Sequence, residues 1–571
     1  MLQNNNLLFL VKQIKWPKPL FIIAIFTISL GSISELIVPL LTGQFIDKLV
    51  TGGIQYRFLV LLGVLFIVDA VLNGIGLYLL IKVGEKIIYS LRSLLWEHII
   101  YLNIPFFDRN ENGELISRLT EDTSLINNFI SQKFPSIVPG LLTLIGSLFM
   151  LFVIDWKMTL LTFITIPVFI LVIIPLSNIV ENISQSTQLE IAKFTGVLGR
   201  VLSAIRLVKV SNTESEEVLR ANKKLDNIYK LNIKHAKITA ILEPFSSILL
   251  LIMLGVILGF GGYRIATGAI TSGQLVTMIF YVIQLSAPIS TLSTLITDYK
   301  NAKGASRRIS EILKEEKENY TLLNFKNKPV ETLTFNSVYF SYDNKYVLKN
   351  VSFTIPKGST TAIVGPSGSG KTTLFNLITR MYTIDSGTIH SNGDSIYDFS
   401  LSEWRNNIGY VMQNNSIISG TIKSNILYGT KKNISQKTID KYARLSNSYE
   451  FIMGLNKNYD FEVGEAGGRL SGGQKQRIDI TRNLIKNPDL LLLDEATASL
   501  DSESEKKVQH ALEYLSHTRT TIIIAHRLST IKKADQILFL DDGKITGTGN
   551  HEELMYTHNK YYKFVMNQSL N

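Results

Sequence analysis

Residues 360–380 read TTAIVGPSGSGKTTLFNLITR. Thr360 to Val364 has the composition of a buried strand, Gly365-Pro366-Ser367-Gly368-Ser369-Gly370-Lys371-Thr372 is a glycine-rich turn, and Thr373 to Arg380 reads as helix. A phosphate-binding loop needs this strand, loop and helix order. Glycines let backbone N–H groups turn inward around phosphate oxygens, and a helix N-terminus adds positive potential. Lys371 would reach the outer phosphates and Thr372 would ligate magnesium.

Around this loop the texture is that of an α/β domain. From about residue 331 short β-branched runs alternate with turns. Leu490 to Leu493 is a second buried-strand pattern and runs directly into Asp494-Glu495. Four apolar residues ending in two acids suit a central parallel strand that delivers carboxylates to the phosphate loop. Asp494 would hold magnesium and Glu495 would orient, or take a proton from, the water attacking the terminal phosphate. Between the two lies Leu470-Ser471-Gly472-Gly473-Gln474, a polar glycine turn opening a helix, which alone reads as a second anion site or as a helix cap.

Together these motifs resemble the ATP-binding cassette family, whose phosphate loop, LSGGQ signature, DE pair and downstream histidine stand in this order. The resemblance implies ATP and Mg2+ as ligands. It implies that Tyr342 stacks on adenine, that Gln413 in YVMQ contacts magnesium, and that His526 in AHRLST contacts the γ-phosphate. Asp501 in ASLD matches the loop joining the two catalytic sites. Ser471, Gly472, Gly473 and Gln474 would contact nucleotide held by a partner cassette, so a second copy of the chain is expected. One departure is Ala466 in VGEAGG, where many exporters carry an arginine that approaches the coupling loops; another is Asn414-Asn415 after Gln413.

The first half of the chain is different. Six stretches are apolar enough to cross a bilayer core of about 30 Å: residues 20–40, 58–80, 134–154, 158–176, 245–262 and a more polar one at 275–295. Only Asp155-Trp156-Lys157 separates the third from the fourth, which predicts a tight antiparallel hairpin. The two long loops carry many Lys and Arg, among them Lys82, Arg92, Arg118, Lys193, Arg206 and Lys224, so the positive-inside rule places them, both termini and the ATPase domain in the cytoplasm. The expectation is a multi-pass plasma-membrane protein, with residues 7–14 forming a short helix along the membrane surface.

Leu91 to Thr123, with its FFD and GELISRL segments, resembles the first cytoplasmic loop of the exporter branch of the family, and Ala204 to Glu217 resembles its other coupling loop. Residues 1–310 are therefore expected as a membrane all-α six-helix transmembrane domain. Residues 311–330 form a linker, and 331–571 an α/β P-loop NTPase cassette. The resemblance is greatest to bacterial multidrug half-exporters. It implies a homodimer in the lipid bilayer that moves a lipophilic or amphipathic small molecule by alternating access. A lipid flippase and a hydrophobic-peptide exporter share every motif, and a cassette ATPase acting on partner proteins is a more remote alternative.

Two acids interrupt the apolar blocks, Glu35 and Asp69. Each either lines a cavity or sits near the interface and pairs with a neighbouring helix. Of the 571 residues 46% are hydrophobic and 18% charged, below the roughly 25% charge of soluble domains. The net charge of +11 is spread through loops rather than gathered into an aromatic-interleaved stripe, which argues against nucleic acid. The absence of cysteine excludes thiol catalysis, disulfides and thiolate-bound zinc.

Overall fold

The computed structural model describes all of the chain except residues 1–5, 54–55, 164, 321–329, 331, 414–416, 431–432, 495–507, 509, 515, 517–518, 526 and 570–571. It packs as two units, one made of residues 1–97 and 113–314, the other of residues 98–112 and 315–571.

The first unit is helical. A short α1 (Asn6–Gln13) precedes α2 (Lys18–Gly52), and α3 (Tyr56–Ile100) begins in this unit. The second unit opens with α4 (Ile104–Arg109). Back in the first unit, helical turns from Asn112 include two π-helical segments, Arg118–Asp122 and Phe129–Lys133, and lead into α5 (Ile137–Ile154). Then come α6 (Thr165–Ser203), the short α7 (Ile205–Val210), α8 (Glu214–Ala266), α9 (Ser272–Gln284) and α10 (Ser286–Lys314). The 53 residues of α8 exceed what a bilayer core requires, so this helix continues well past the apolar part of its length.

Among the described residues four helical stretches are long and apolar enough to cross a membrane: Lys18–Gly52, Tyr56–Ile100, Asn112–Ile154 and Ser272–Lys314. The fifth expected span shows as a shorter apolar helix, Leu251–Ala266. The fourth lies largely on residues whose side chains fall outside the description. Phe66, Ile67 and Leu171 leave 57%, 66% and 74% of their surface uncovered, as side chains facing lipid do. In the sixth span α9 and α10 meet at Leu285, which keeps helical dihedrals, donates to Tyr281 O at 3.2 Å and accepts from Ile289 N–H at 3.4 Å, so the stretch stays helical and the missing N–H of Pro288 loosens it there.

Side chains distant in sequence tie these helices together. Asp155 accepts from the backbone N–H groups of Lys157 and Met158, capping the turn of the expected hairpin. Its other oxygen accepts from Arg264 Nε at 2.7 Å on α8. Such a buried carboxylate is tolerated because every lone pair has a donor. At the far end of α2, Asp47 accepts from Thr271 Oγ1 and the Gly273 N–H, at 2.6 and 2.7 Å, and so holds the start of α9. The two backbones cross so closely that a Cβ on Gly273 would lie 1.9 Å from the Gly43 carbonyl oxygen. Gly273→Ala is therefore expected to force α2 and α9 apart and cost on the order of 1–3 kcal/mol. A thermal unfolding midpoint in detergent equal to that of the wild type would contradict this crossing.

The second unit is built on two sheets. The antiparallel one has the order β2-β1-β4-β5, with β1 (Leu333–Tyr342), β2 (Lys345–Ile355), β4 (Ser386–Ser391) and β5 (Asp394–Ser395). The other has the order β10-β9-β3-β8-β7-β6, with β3 (Thr360–Val364), β6 (Ile408–Val411), β7 (Leu490–Asp494), β8 (Thr520–Ile524), β9 (Gln536–Asp541) and β10 (Lys544–Gly549). Strands β9, β3, β8, β7 and β6 pair in parallel, and β10 closes the edge antiparallel to β9. All five positions of β7 are buried, as a strand covered on both faces requires.

A short segment from earlier in the chain belongs to this second unit. Residues 98–112 join the second unit through a backbone bond from Glu318 N–H to Tyr101 O at 2.7 Å, a bridge between Leu102 and Lys317, and a ring contact between Tyr101 and Tyr320. Glu318 in turn accepts a two-pronged pair from Arg405, at 2.7 and 2.8 Å. A guanidinium fork bound this way resists rotation more than a lysine could.

Candidate functional site

The register of the parallel sheet assembles the motif residues. Ile363 on β3 pairs with Ile524 on β8, and Ile524 pairs with Asp494 on β7. Val411 at the end of β6 pairs with Leu493. The loop beginning at Gly365, Asp494, the segment before His526 and the segment holding Gln413 therefore all leave the sheet at its carboxyl edge, the side on which such sheets bind ligands. Glu495, Asp501 and His526 themselves lie outside the described residues.

The phosphate loop has the shape its glycines predict. Gly365 has φ 154°, and a Cβ there would lie 2.0 Å from the Leu540 carbonyl oxygen of β9. Gly370 is left-handed at φ 104° and opens helix α11 (Lys371–Ile378) with no side chain capping it, so the first N–H groups of α11 keep their capacity for an anion. Ser369 Oγ is buried and has no partner among the described residues, which fits a phosphate oxygen arriving in the loop. Lys371 Nζ donates to the Gly365 and Pro366 carbonyls at 2.9 and 2.8 Å. Those bonds hold its cation over the loop in which a phosphate would lie. Thr372 is exposed, in position to offer its hydroxyl outward, whereas Thr373 is buried in the fold.

Asp494 is 4% exposed at the end of β7, and Tyr410 Oη approaches its Oδ2 at 3.5 Å. Burial, then the neighbouring carboxylate, pushes the Tyr410 phenol well above its ordinary range, so it remains a donor to Asp494. Carboxylate and hydroxyl oxygens are what a hard divalent cation takes, and Asp494 with Thr372 supply them.

Tyr342 ends β1 half-buried. Asn376 Nδ2 on α11 donates to its hydroxyl at 3.4 Å, which ties the ring to the helix that starts at Lys371. Its edge is held by Phe340 and Tyr382, with centroids 4.8 and 5.1 Å away and rings nearly perpendicular. Tyr382 was not singled out by sequence, and its role comes from packing. Its hydroxyl donates to Asp108 of α4, which stands in the FFD segment noted above. Helix α4 is capped by Asn103, whose Oδ1 accepts from Phe106 N–H at 3.2 Å, and Phe106 is buried. Burial and the Asp108 carboxylate hold the Tyr382 phenol far above its usual value, so this contact keeps its proton throughout the physiological range.

The signature segment forms a reciprocal cap. Ser471 Oγ accepts from Gln474 N–H, and Gln474 Oε1 accepts from Ser471 N–H at 2.9 Å, opening helix α12 (Gly472–Lys486). Ser471 and Gly472 are exposed while Gly473 is buried, so the end of α12 presents its N–H groups outward. Just before it, Ala466 takes φ 46°, a left-handed conformation costing about 1–2 kcal/mol for a residue with a Cβ, and its carbonyl accepts from Lys475 at 3.0 Å. In the first unit, Glu35 offers its backbone carbonyl to Gln284 at 2.9 Å and Asp69 accepts from Asn73 at 2.8 Å. Both acids are half-buried.

A model of the ABC transporter transmembrane region matches residues 21–289, and a model of the ABC transporter matches residues 348–498. The chain is 36% identical over 562 residues, 98% of its length and 95% of the relative's, to a multidrug resistance ABC transporter ATP-binding and permease protein of Lactococcus lactis subsp. cremoris (strain MG1363). It is 35% identical to an ATP-dependent lipid A-core flippase of Syntrophus aciditrophicus (strain SB), over 84% of this chain and 80% of that one. It is 33% identical to ATP-binding cassette sub-family B member 10, mitochondrial, of Mus musculus, over 95% and 78%.

Proposed function

This chain belongs to the ABC transporter family, and we propose that two copies of it form an exporter that moves lipophilic or amphipathic compounds, drugs among them, out across the plasma membrane. The chain hydrolyses ATP to drive this transport. The observation that carries the cargo reading is the 36% identity that runs through 98% of the chain and 95% of a multidrug resistance transporter, membrane half included. A second reading, movement of a lipid between leaflets, is supported by the similarity to lipid A-core flippases.

In this reading Lys371, the loop from Gly365 to Thr373 and the start of α11 hold the phosphates of ATP. Thr372, Gln413 and Asp494 take the magnesium ion, Tyr342 stacks on the base, and Glu495 and His526 act on the attacking water and the γ-phosphate. The outward-facing N-terminus of α12, with Ser471 and Gly472, completes the site of the partner copy. Binding energy biases a conformational equilibrium only if ATP prefers one state, and contacts from two chains to one nucleotide supply that preference. Helix α7 leaves Leu207 and Val210 at 67% and 83% exposure, an apolar face suited to docking on the partner's cassette.

Within one chain the path to the membrane half begins at the base. A nucleotide that settles on Tyr342 presses on Tyr382, and Tyr382 holds Asp108 of α4. Tyr382→Phe removes one hydrogen bond, worth about 1 kcal/mol, and keeps the ring. The expected result is less transport per ATP hydrolysed, with ATP affinity little changed; an unaltered ratio would remove Tyr382 from the path. The reading as a whole is tested by ATPase activity of the purified chain in lipid vesicles across drugs, lipids and hydrophobic peptides. Stimulation by several unrelated drugs supports multidrug export. Stimulation by one lipid class alone replaces it with the flippase reading.

A further inference from the structure

An apolar cavity of about 600 Å³ opens in the first unit between α1, the start of α2, the turns leading into α5, and α10. Its walls are aromatic and aliphatic, with Trp16 and Phe21 on one side and Phe129, Phe134 and Tyr299 on the other. The rings brace one another: Trp16 meets Phe21 edge-on at 5.2 Å, and Phe129 lies 5.6 Å from Tyr299. Its volume falls within the range of ligand sites rather than packing defects.

Three observations say what belongs there. The lining residues Phe21, Phe134 and Leu295 mark the ends of the first, third and sixth expected spans that the charge pattern places at the cytoplasmic face, so the cavity sits at the level of one leaflet. The Trp16 indole N–H is buried and has no partner among the described residues, a donor suited to an ester or phosphate oxygen near the headgroup level. The segment from Asn6 to Phe21 carries Lys12, Lys15 and Lys18, all exposed, and no acid. The lysine on the opposite wall, Lys133, is already engaged by Asp298 at 3.4 Å.

We propose that this cavity holds an acyl chain of one anionic phospholipid from the cytoplasmic leaflet, its headgroup taken by Lys12, Lys15 and Lys18 and oriented by Trp16. The inference rests on the orientation reading of the spans but not on the identity of the cargo. A lipid seated there fills the space between α1 and α10 and fixes the entry of α2 into the bilayer. An aliphatic chain suits the dry walls, and a fixed positive cluster selects its headgroup, each lysine near an anionic lipid being worth roughly a fivefold preference.

The test uses the full chain in phosphatidylcholine nanodiscs doped with phosphatidylglycerol or phosphatidylcholine carrying brominated acyl chains. The readout is the part of the tryptophan emission that Trp16→Phe removes. Quenching of that part should saturate with brominated phosphatidylglycerol at a mole fraction about fivefold or more below that for brominated phosphatidylcholine. The combined Lys12→Gln, Lys15→Gln, Lys18→Gln variant should lose the preference while still being quenched. As a second measurement, native mass spectrometry of detergent-washed protein should show one phosphatidylglycerol retained per wild-type chain and loss of that lipid from the triple variant. Equal, non-saturating quenching by both lipids would mean bulk contact with the bilayer and would overturn the proposal, as would equal lipid retention by the two proteins. Displacement of the quencher by a transported drug at its working concentration would reassign the cavity to cargo and equally overturn it.

Discussion

Glu495→Gln is expected to cut ATP turnover by about 100-fold or more while ATP stays bound in a closed pair of cassettes. Leu490 to Leu493 are buried on both faces of the sheet and Asp494 ends the strand at its carboxyl edge, the edge at which the loop from Gly365 leaves β3; Glu495 follows next in the sequence. An amide keeps the size of the side chain and its hydrogen bonding but cannot accept the water's proton, so binding survives and chemistry stops. The check is a single-turnover measurement with radiolabelled ATP, together with nucleotide retained after gel filtration. Wild-type turnover in this variant would take the general-base role away from Glu495.

Lys371→Met and Ser471→Arg are each expected to abolish transport-coupled hydrolysis in a homodimer, the first by removing the cation over the loop and the second by filling the place of the partner's phosphate. Losing one charged contact to a buried phosphate costs several kcal/mol, enough for a fall of about 100-fold or more in ATP affinity. The informative sample is the mixed dimer with one lesion in each chain. If nucleotide lies between Lys371 of one copy and Ser471 of the other, that dimer has one doubly damaged site and one intact site, and part of the activity returns. If both motifs serve the same chain's nucleotide, each chain of the mixed dimer remains broken and nothing returns. Co-purification through two different tags isolates the mixed species, and its ATPase rate decides between the arrangements.

Much of the cassette could be read directly because its chemistry is local. A phosphate loop needs a strand, a left-handed glycine and a helix in immediate succession, and residues 360–380 supply them; the structure has β3, φ 104° at Gly370 and α11 at those positions. The reciprocal cap of Ser471 and Gln474 is likewise a matter of three residues' spacing. The spans are legible for a different local reason, since a bilayer imposes a length and a composition on each one separately. The sixth expected span falls inside one helical stretch, Ser272–Lys314, whose backbone bonding loosens only near Leu285, and the nearby Pro288 is the visible signal.

What tertiary structure alone decided are the pairings between residues far apart in the chain. Tyr382 meets Asp108 across 274 positions, and Asp155 meets Arg264 across 109, while the sequence offers each of these side chains many equally charged or polar alternatives. The packing of residues 98–112 with 315–571, and the aromatic cavity walled by three separate segments, are of the same kind. Local preference and burial set which residues are helix, strand or loop. Which two of them touch depends on how the whole chain closes, and that information is shared among all the contacts at once.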